Sequence, residues 1–402
     1  MGDRRVVTVT NAKLSRLQWI LVYFLSVLPV AVAAEQYHVE RLNAGRPIIT
    51  AEHFLQVGAP LEESDNINGP SVIRVPDWIP KEQRAAPQAQ YYLYFAHHHG
   101  EYIRLAWAET IEGPWHLYRT GAQAAVGQRG VLDLGPDRQI ALASPYTITG
   151  HIASPDVHVD HDSKQIVLYF HGATSRHGTH IERQKSYVAT SPWGLDFSGS
   201  IRPLPLSDSY LRVFEHNGIL QGLYSSFHAQ PVSSVSPWSG ATDRELSADA
   251  LWRIREATFL QFYGSRKAQG QSGQGHIPYV RHLALYREDN RLHVFFTMKG
   301  HKPERILATS VDLDREDWFD VAPAAEPIEV LRAELAWEGA GIQPERSKKG
   351  AEFRLVNALR DPFVFYDQGS VYLFYAGGGE RAIGVARLTL DRDQQRPDTA
   401  SD

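Results

Sequence analysis

The chain contains no cysteine and only two methionines among 402 residues. Without cysteine there is no disulfide framework, no thiolate metal site and no cysteine nucleophile. Charge of one sign is also missing: 41 Lys and Arg stand against 46 Asp and Glu, scattered along the chain, for a net charge of -5. No positive stripe exists to neutralise a phosphate backbone, so nucleic acid is not an expected partner. A phosphate-cradling Gly loop, a Gly-x-Ser-x-Gly elbow and a His-Glu-x-x-His helix are absent too, which removes the motif-based routes to nucleotide, serine-hydrolase and zinc-protease chemistry. Amphipathic helical periodicity is scarce, and a short helix or insertion is expected only within 247–263.

One long apolar run is present, from Trp19 to Ala34, preceded by Arg4, Arg5, Lys13 and Arg16 and ending in the small residues Ala31-Val32-Ala33-Ala34. This is the layout of a signal peptide, with cleavage expected after Ala33 or Ala34. The run is shorter than the ~20 residues that span a bilayer comfortably. The expected organisation is therefore a signal peptide over 1–34, a mature domain over 35–392 and a polar tail over 393–402. The mature chain is expected in the periplasm or outside the cell, with no membrane partner after cleavage. Its composition, 43% apolar and 22% charged, is that of a globular protein.

Within the mature chain four aromatic and β-branched runs recur: Tyr91–Ala96, Ile166–His171, Leu292–Thr297 and Val371–Ala376. Each is bounded by Gly, Asp or Asn and reads as a buried strand. Gly222-Leu223-Tyr224-Ser225, after the turn at His216-Asn217-Gly218, marks a fifth unit. In each unit an earlier strand, a polar turn, the aromatic strand, a Gly- or His-rich loop and a third strand follow in order. Third strands are expected at Ile103–Trp107, Ser186–Thr190, Arg305–Thr309 and Ala382–Ala386. Repeated antiparallel meanders of this length predict an all-β, five-bladed β-propeller.

With Asn66-Ile67-Asn68-Gly69-Pro70-Ser71, Glu112-Gly113-Pro114-Trp115, Ile152-Ala153-Ser154-Pro155-Asp156, Ser191-Pro192-Trp193-Gly194-Leu195-Asp196-Phe197 and Leu359-Arg360-Asp361-Pro362, the chain resembles the five-bladed propeller glycoside hydrolases of family 43 and its relatives. The resemblance implies hydrolysis of glycosidic bonds in a polysaccharide or oligosaccharide, with three carboxylates at the starts of inner strands. The sequence departs from that set: the first repeat carries Gly69-Pro70-Ser71 where a carboxylate is expected. A non-catalytic glycan-binding propeller is the alternative.

Aligning the repeats on Pro70, Pro155 and Pro362 makes Gly69, Ser154 and Asp361 correspond, and likewise Ser71, Asp156 and Phe363. Matching Leu285 with Val364 sets Arg281-His282 opposite Arg360-Asp361. The candidate catalytic residues are Asp156 and Asp361, with Asp208 or His282 as the proton donor, since an imidazole is readily tuned for proton transfer. Because alternate connections of a meander emerge at opposite ends, strand starts and second loops should share one mouth. Candidate binding residues there are Asn68, His97, His98, Arg212, Arg281, Glu304 and Arg360, with His177, His180 and Arg183 in a loop spanning 171–185. The arginines suit an anionic or sulfated glycan. Glu215, His216, Asp162 and Asp367 are expected on the far face, away from Asp156. No cofactor is required. A metal ligand set is not identified, although His97 and His99 could share a face, and a structural ion on the propeller axis is compatible with the pattern.

Overall fold

The computed structural model describes residues 37–118, 129–176, 179–217, 219–224, 228–231, 255–256, 279–315 and 327–390. The expected signal peptide, the expected helix or insertion over 247–263, His177 and the polar tail lie outside the described residues. Residues 35–402 form one compact unit. No helix among the described residues is long and apolar enough to cross a membrane.

Among the described residues the strands form five antiparallel sheets. One strand from each lines a central cavity: Asn68–Arg74, Tyr146–Asp160, Arg212–His216, Tyr279–Glu288 and Leu359–Asp367. The all-β propeller class expected from the repeats is therefore what the chain adopts. The aromatic second strands fall where the runs place them, over Tyr91–Ala96, Gln165–Arg176, Arg291–Lys299 and Ser370–Gly377.

Those runs are apolar on both faces because each sheet packs between two others, and side chains alternate along a strand. Tyr92 and Tyr94 pack with Ile166, Leu168 and Phe170 of the next sheet, whereas Leu93 and Phe95 pack with Phe363, Phe374 and Ile383 of the last one. The last sheet uses its other face, through Val364, Leu373 and Tyr375, against Ala284, Phe295 and Ala308. Smaller clusters join Phe214 to Val294 and Phe296, and Val213 to Val167 and Tyr169. Strand Tyr37–Arg41 pairs antiparallel with Ala382–Leu390, so the N-terminal end of the unit completes the C-terminal sheet and closes the ring.

The segment spanning 171–185 departs from expectation. Instead of a loop, the paired strands Gln165–Arg176 and Thr179–Ser191 continue through it. Ile148 and Thr174 are β-branched partners, which favour extended backbone, and the hydroxyls of Thr174 and Tyr187 meet at 2.9 Å. Polarity in the sequence reads as a loop, whereas here it lies in an elongated hairpin.

Candidate functional site

Four inner strands carry the same irregularity, a bulge in which two residues face one on the partner strand. The bulged pairs are Gly69-Pro70, Ser154-Pro155, Arg281-His282 and Asp361-Pro362. Proline suits the position because a bulge spares it a ladder hydrogen bond. The first residue is left-handed in three of them, with φ of 61° at Gly69, 53° at Ser154 and 48° at Asp361. Left-handed backbone at Ser and Asp is uncommon, and such bulges re-aim side chains beside functional sites.

The bulges correct one alignment. Arg281-His282 stands opposite Asp361-Pro362, one residue along from the expected Arg360-Asp361, because Leu283 and Phe363 occupy the matching step after the bulge. Lacking a proline, this repeat offered no fixed point in sequence.

Around the bulges runs a buried chain of charges. Arg281 Nε donates to Glu304 Oε1 at 2.7 Å, and Arg360 Nε donates to Glu304 Oε2 at 3.0 Å. Arg360 Nη1 donates to Glu380 Oε1 at 2.9 Å, and His98 Nδ1 lies 3.3 Å from that same oxygen. Asn66 Nδ2 donates to Glu380 Oε2 at 2.5 Å, while Asn66 Oδ1 accepts the His98 main-chain N–H and Asn68 Nδ2. Glu304 and Glu380 are fully buried. Burial works to raise the Glu380 pKa, but His98, Arg360 and Asn66 outweigh it and hold the carboxyl well below the usual range. Burial likewise opposes the Arg360 charge, and Glu304 with Glu380 reverses that effect. These arginines are committed to carboxylates rather than presented to an acidic sugar.

Beside this chain His282 Nδ1 meets the Asp361 carboxylate. Both residues are buried, and among the described residues neither Asp361 oxygen accepts a well-formed hydrogen bond. The Tyr210 ring packs edge-on against His282, with centroids 4.4 Å apart, and against His171 at 4.8 Å. His171 Nε2 is 3.3 Å from His151 Nε2, and His151 Nδ1 lies 3.0 Å from the Gly100 carbonyl. Burial, reinforced by Arg281 and Arg212, pushes His282 well below the ordinary imidazole range. Burial does the same to His171 and lowers His151 to about 4. No set of three His, Asp or Glu side chains among the described residues is arranged to hold a metal ion.

The expected mouth thus brings together Asn68, His98, Arg281, His282, Glu304, Arg360 and Asp361. His97 sits at the rim, its Nε2 2.8 Å from Asp65 Oδ1, and shares the Phe353 ring with His99 while His98 turns to Glu380. Asp156 is not part of the charge chain. Its Oδ2 takes His158 Nε2 at 3.0 Å and the Val213 N–H at 2.9 Å, and it lines the central cavity together with Asp367, a residue expected far from it. The lining takes only the part of each inner strand beyond its bulge and runs on to the first turns, so Asp156 opens to the far-face side of the channel. Arg212 spends its guanidinium on the carbonyls of Leu283, Ser154 and Leu211. The backbone of Asp208 lies in the outermost strand of its sheet, paired with Lys185, which removes it from the inner-strand position expected of a proton donor. Glu215 is exposed beside the first turn of its sheet, as strand polarity requires.

Sequence reasoning passed over Asn66, His151 and Tyr210 as site residues, whereas the second loop Gly377-Gly378-Gly379-Glu380 was expected at the mouth and brings Glu380 there.

No family model matches the chain. A curated relative, "Uncharacterized protein R118" of Acanthamoeba polyphaga mimivirus, is 32% identical over 336 residues, covering 80% of this chain and 83% of the viral protein. The chain belongs to the family of that viral protein. Among solved structures, a putative glycoside hydrolase from Bacteroides ovatus superposes with a TM-score of 0.51 at 12% identity, covering 87% of this chain and 96% of the other. An α-L-arabinofuranosidase from Lactobacillus brevis gives a TM-score of 0.46 at 11% identity, with 81% and 91% covered. At such identity the first likeness establishes the propeller fold, and fold alone does not carry an activity.

Proposed function

We propose that this family member is a five-bladed propeller glycoside hydrolase, periplasmic or secreted, that cleaves O-glycosidic bonds in a polysaccharide or oligosaccharide. The observation that carries the reading is the buried contact between Asp361 and His282 at two matching bulges, with no other partner holding the carboxylate among the described residues. A carboxyl and an imidazole in contact share a proton and can deliver it to a leaving glycosidic oxygen, while water adds at the anomeric carbon and its released proton restores the pair. Glu304 and Glu380 are tied to Arg281 and Arg360 and hold the two inner strands that carry His282 and Asp361 in place. Because Arg281, Arg360 and Arg212 are already satisfied, the reading favours a neutral glycan over an anionic or sulfated one.

The blade-one position supports a second reading, a glycan-binding propeller without turnover. Ser71 stands there, its hydroxyl accepting the Val157 N–H at 2.9 Å as a structural link between sheets, where the resemblance to glycoside hydrolase family 43 implies a carboxylate. Incubating the full chain with neutral, anionic and sulfated glycans, and measuring released sugar alongside binding, separates the two. Release from a neutral glycan supports hydrolysis, retention without release supports the binding module, and neither one nor the other removes both.

A further inference from the structure

The central cavity, about 480 Å³, is distinct in its lining from the charge chain. Its size falls within the few hundred to about 1,000 Å³ typical of small-ligand pockets, and its walls are mostly apolar, including Val72, Val213, Leu285, Val364 and Phe365. Asp156 sits on this wall, 3% exposed, with both of its hydrogen bonds landing on Oδ2. Oδ1 is left to the cavity without a donor. A carboxylate oxygen facing a mostly apolar wall without a protein donor is met best by a charged donor.

The remaining charges do not fill that role. Arg212 directs its hydrogen bonds to main-chain carbonyls, and Arg74 is bound to Asp367 at 2.6 to 2.7 Å and lies over the Tyr91 ring. Asp156, Asp367 and the exposed Asp77 share the lining with Arg74, Arg212, His158 and His161, and the hydrogen bond from His158 goes to Asp156 Oδ2. We propose that this cavity is a ligand site for a small organic ammonium with an apolar body, its N–H group bound to Asp156 Oδ1 and its carbons against the aliphatic walls. An anion is excluded by the same carboxylates, and a neutral alcohol forfeits the charge assistance. Burial works to raise the Asp156 pKa, but His158, Arg212 and the Val213 amide outweigh it and keep the carboxyl ionised at neutral pH. The inference does not rest on glycan hydrolysis.

Isothermal titration calorimetry of the full chain at pH 7.5 tests it with three probes of equal length: n-hexylammonium, hexan-1-ol and hexanoate. Hexylammonium should bind at one site, hexan-1-ol at least tenfold more weakly, and hexanoate not at all. Asp156→Asn should weaken hexylammonium at least tenfold, and Leu285→Trp, which fills the cavity without touching the carboxylate, should abolish its binding. Both variants are checked by circular dichroism, and the probe series on the unaltered chain decides the charge preference even if one fails to fold. No hexylammonium heat, equal binding of hexanoate, or binding unchanged in a folded Leu285→Trp variant each overturns the proposal.

Discussion

Arg360 Nε lies 3.0 Å from Glu304 Oε2, joining an inner strand of the last sheet to the loop after Arg291–Lys299 in its neighbour. The other Glu304 oxygen holds Arg281, and the other face of Arg360 holds Glu380. Removing Arg360 therefore leaves two buried carboxylates under-compensated. Arg360→Met should lower stability by about 3 to 5 kcal/mol, measured as the urea unfolding free energy. A change near zero would show that the chain of charges carries no structural weight.

The same cluster sets a pH dependence. Burial lowers His151 to about 4 and pushes His171 and His282 well below the ordinary range. The unfolded chain then binds more protons, so stability is full above pH ~6.5 and is lost as pH falls toward the folded values. Glu380 acts in the same direction lower down, its contribution complete above ~4.3 and lost in more acid solution. Urea midpoints from pH 8 to 4 should fall steadily below 6.5, and His151→Gln should flatten part of that fall. A level profile would contradict the burial of these imidazoles.

Gly377 illustrates how tightly the last sheet is covered. A Cβ placed there would sit 2.3 Å from Cζ3 of Trp337, whose ring stacks on Tyr375 and whose indole N–H donates to the Gly45 carbonyl at 2.8 Å. Gly377→Ala should cost about 1 to 3 kcal/mol through overpacking, read from thermal or urea unfolding. Unchanged stability would mean that Trp337 moves aside freely.

The fold was legible where residue type and position agree. Tyr91–Ala96 reads as a strand from its aromatic and β-branched content alone, and it alternates between two neighbouring sheets because both faces are apolar. Pro70, Pro155 and Pro362 aligned three repeats correctly, although each lies within its inner strand at a bulge rather than before it. The fourth, Arg281-His282, has no proline and slid by one residue. Partnerships across sheets were not legible: Asn66 with Glu380, or Tyr210 with His282, join residues whose sequence neighbours carry no sign of the meeting. Asp208 was chosen for its nearness along the chain to an expected position, and strand order places its backbone at the sheet's outer edge instead.

The central claim, that Asp361 and His282 move the proton in glycan cleavage, is tested most directly by sugar release from a neutral glycan that the unaltered chain hydrolyses. Asp361→Asn and His282→Gln should each reduce kcat/KM by about 10² to 10⁴, with binding of the glycan retained and the two losses far from additive because one proton is shared. Full turnover in either folded variant would contradict the account.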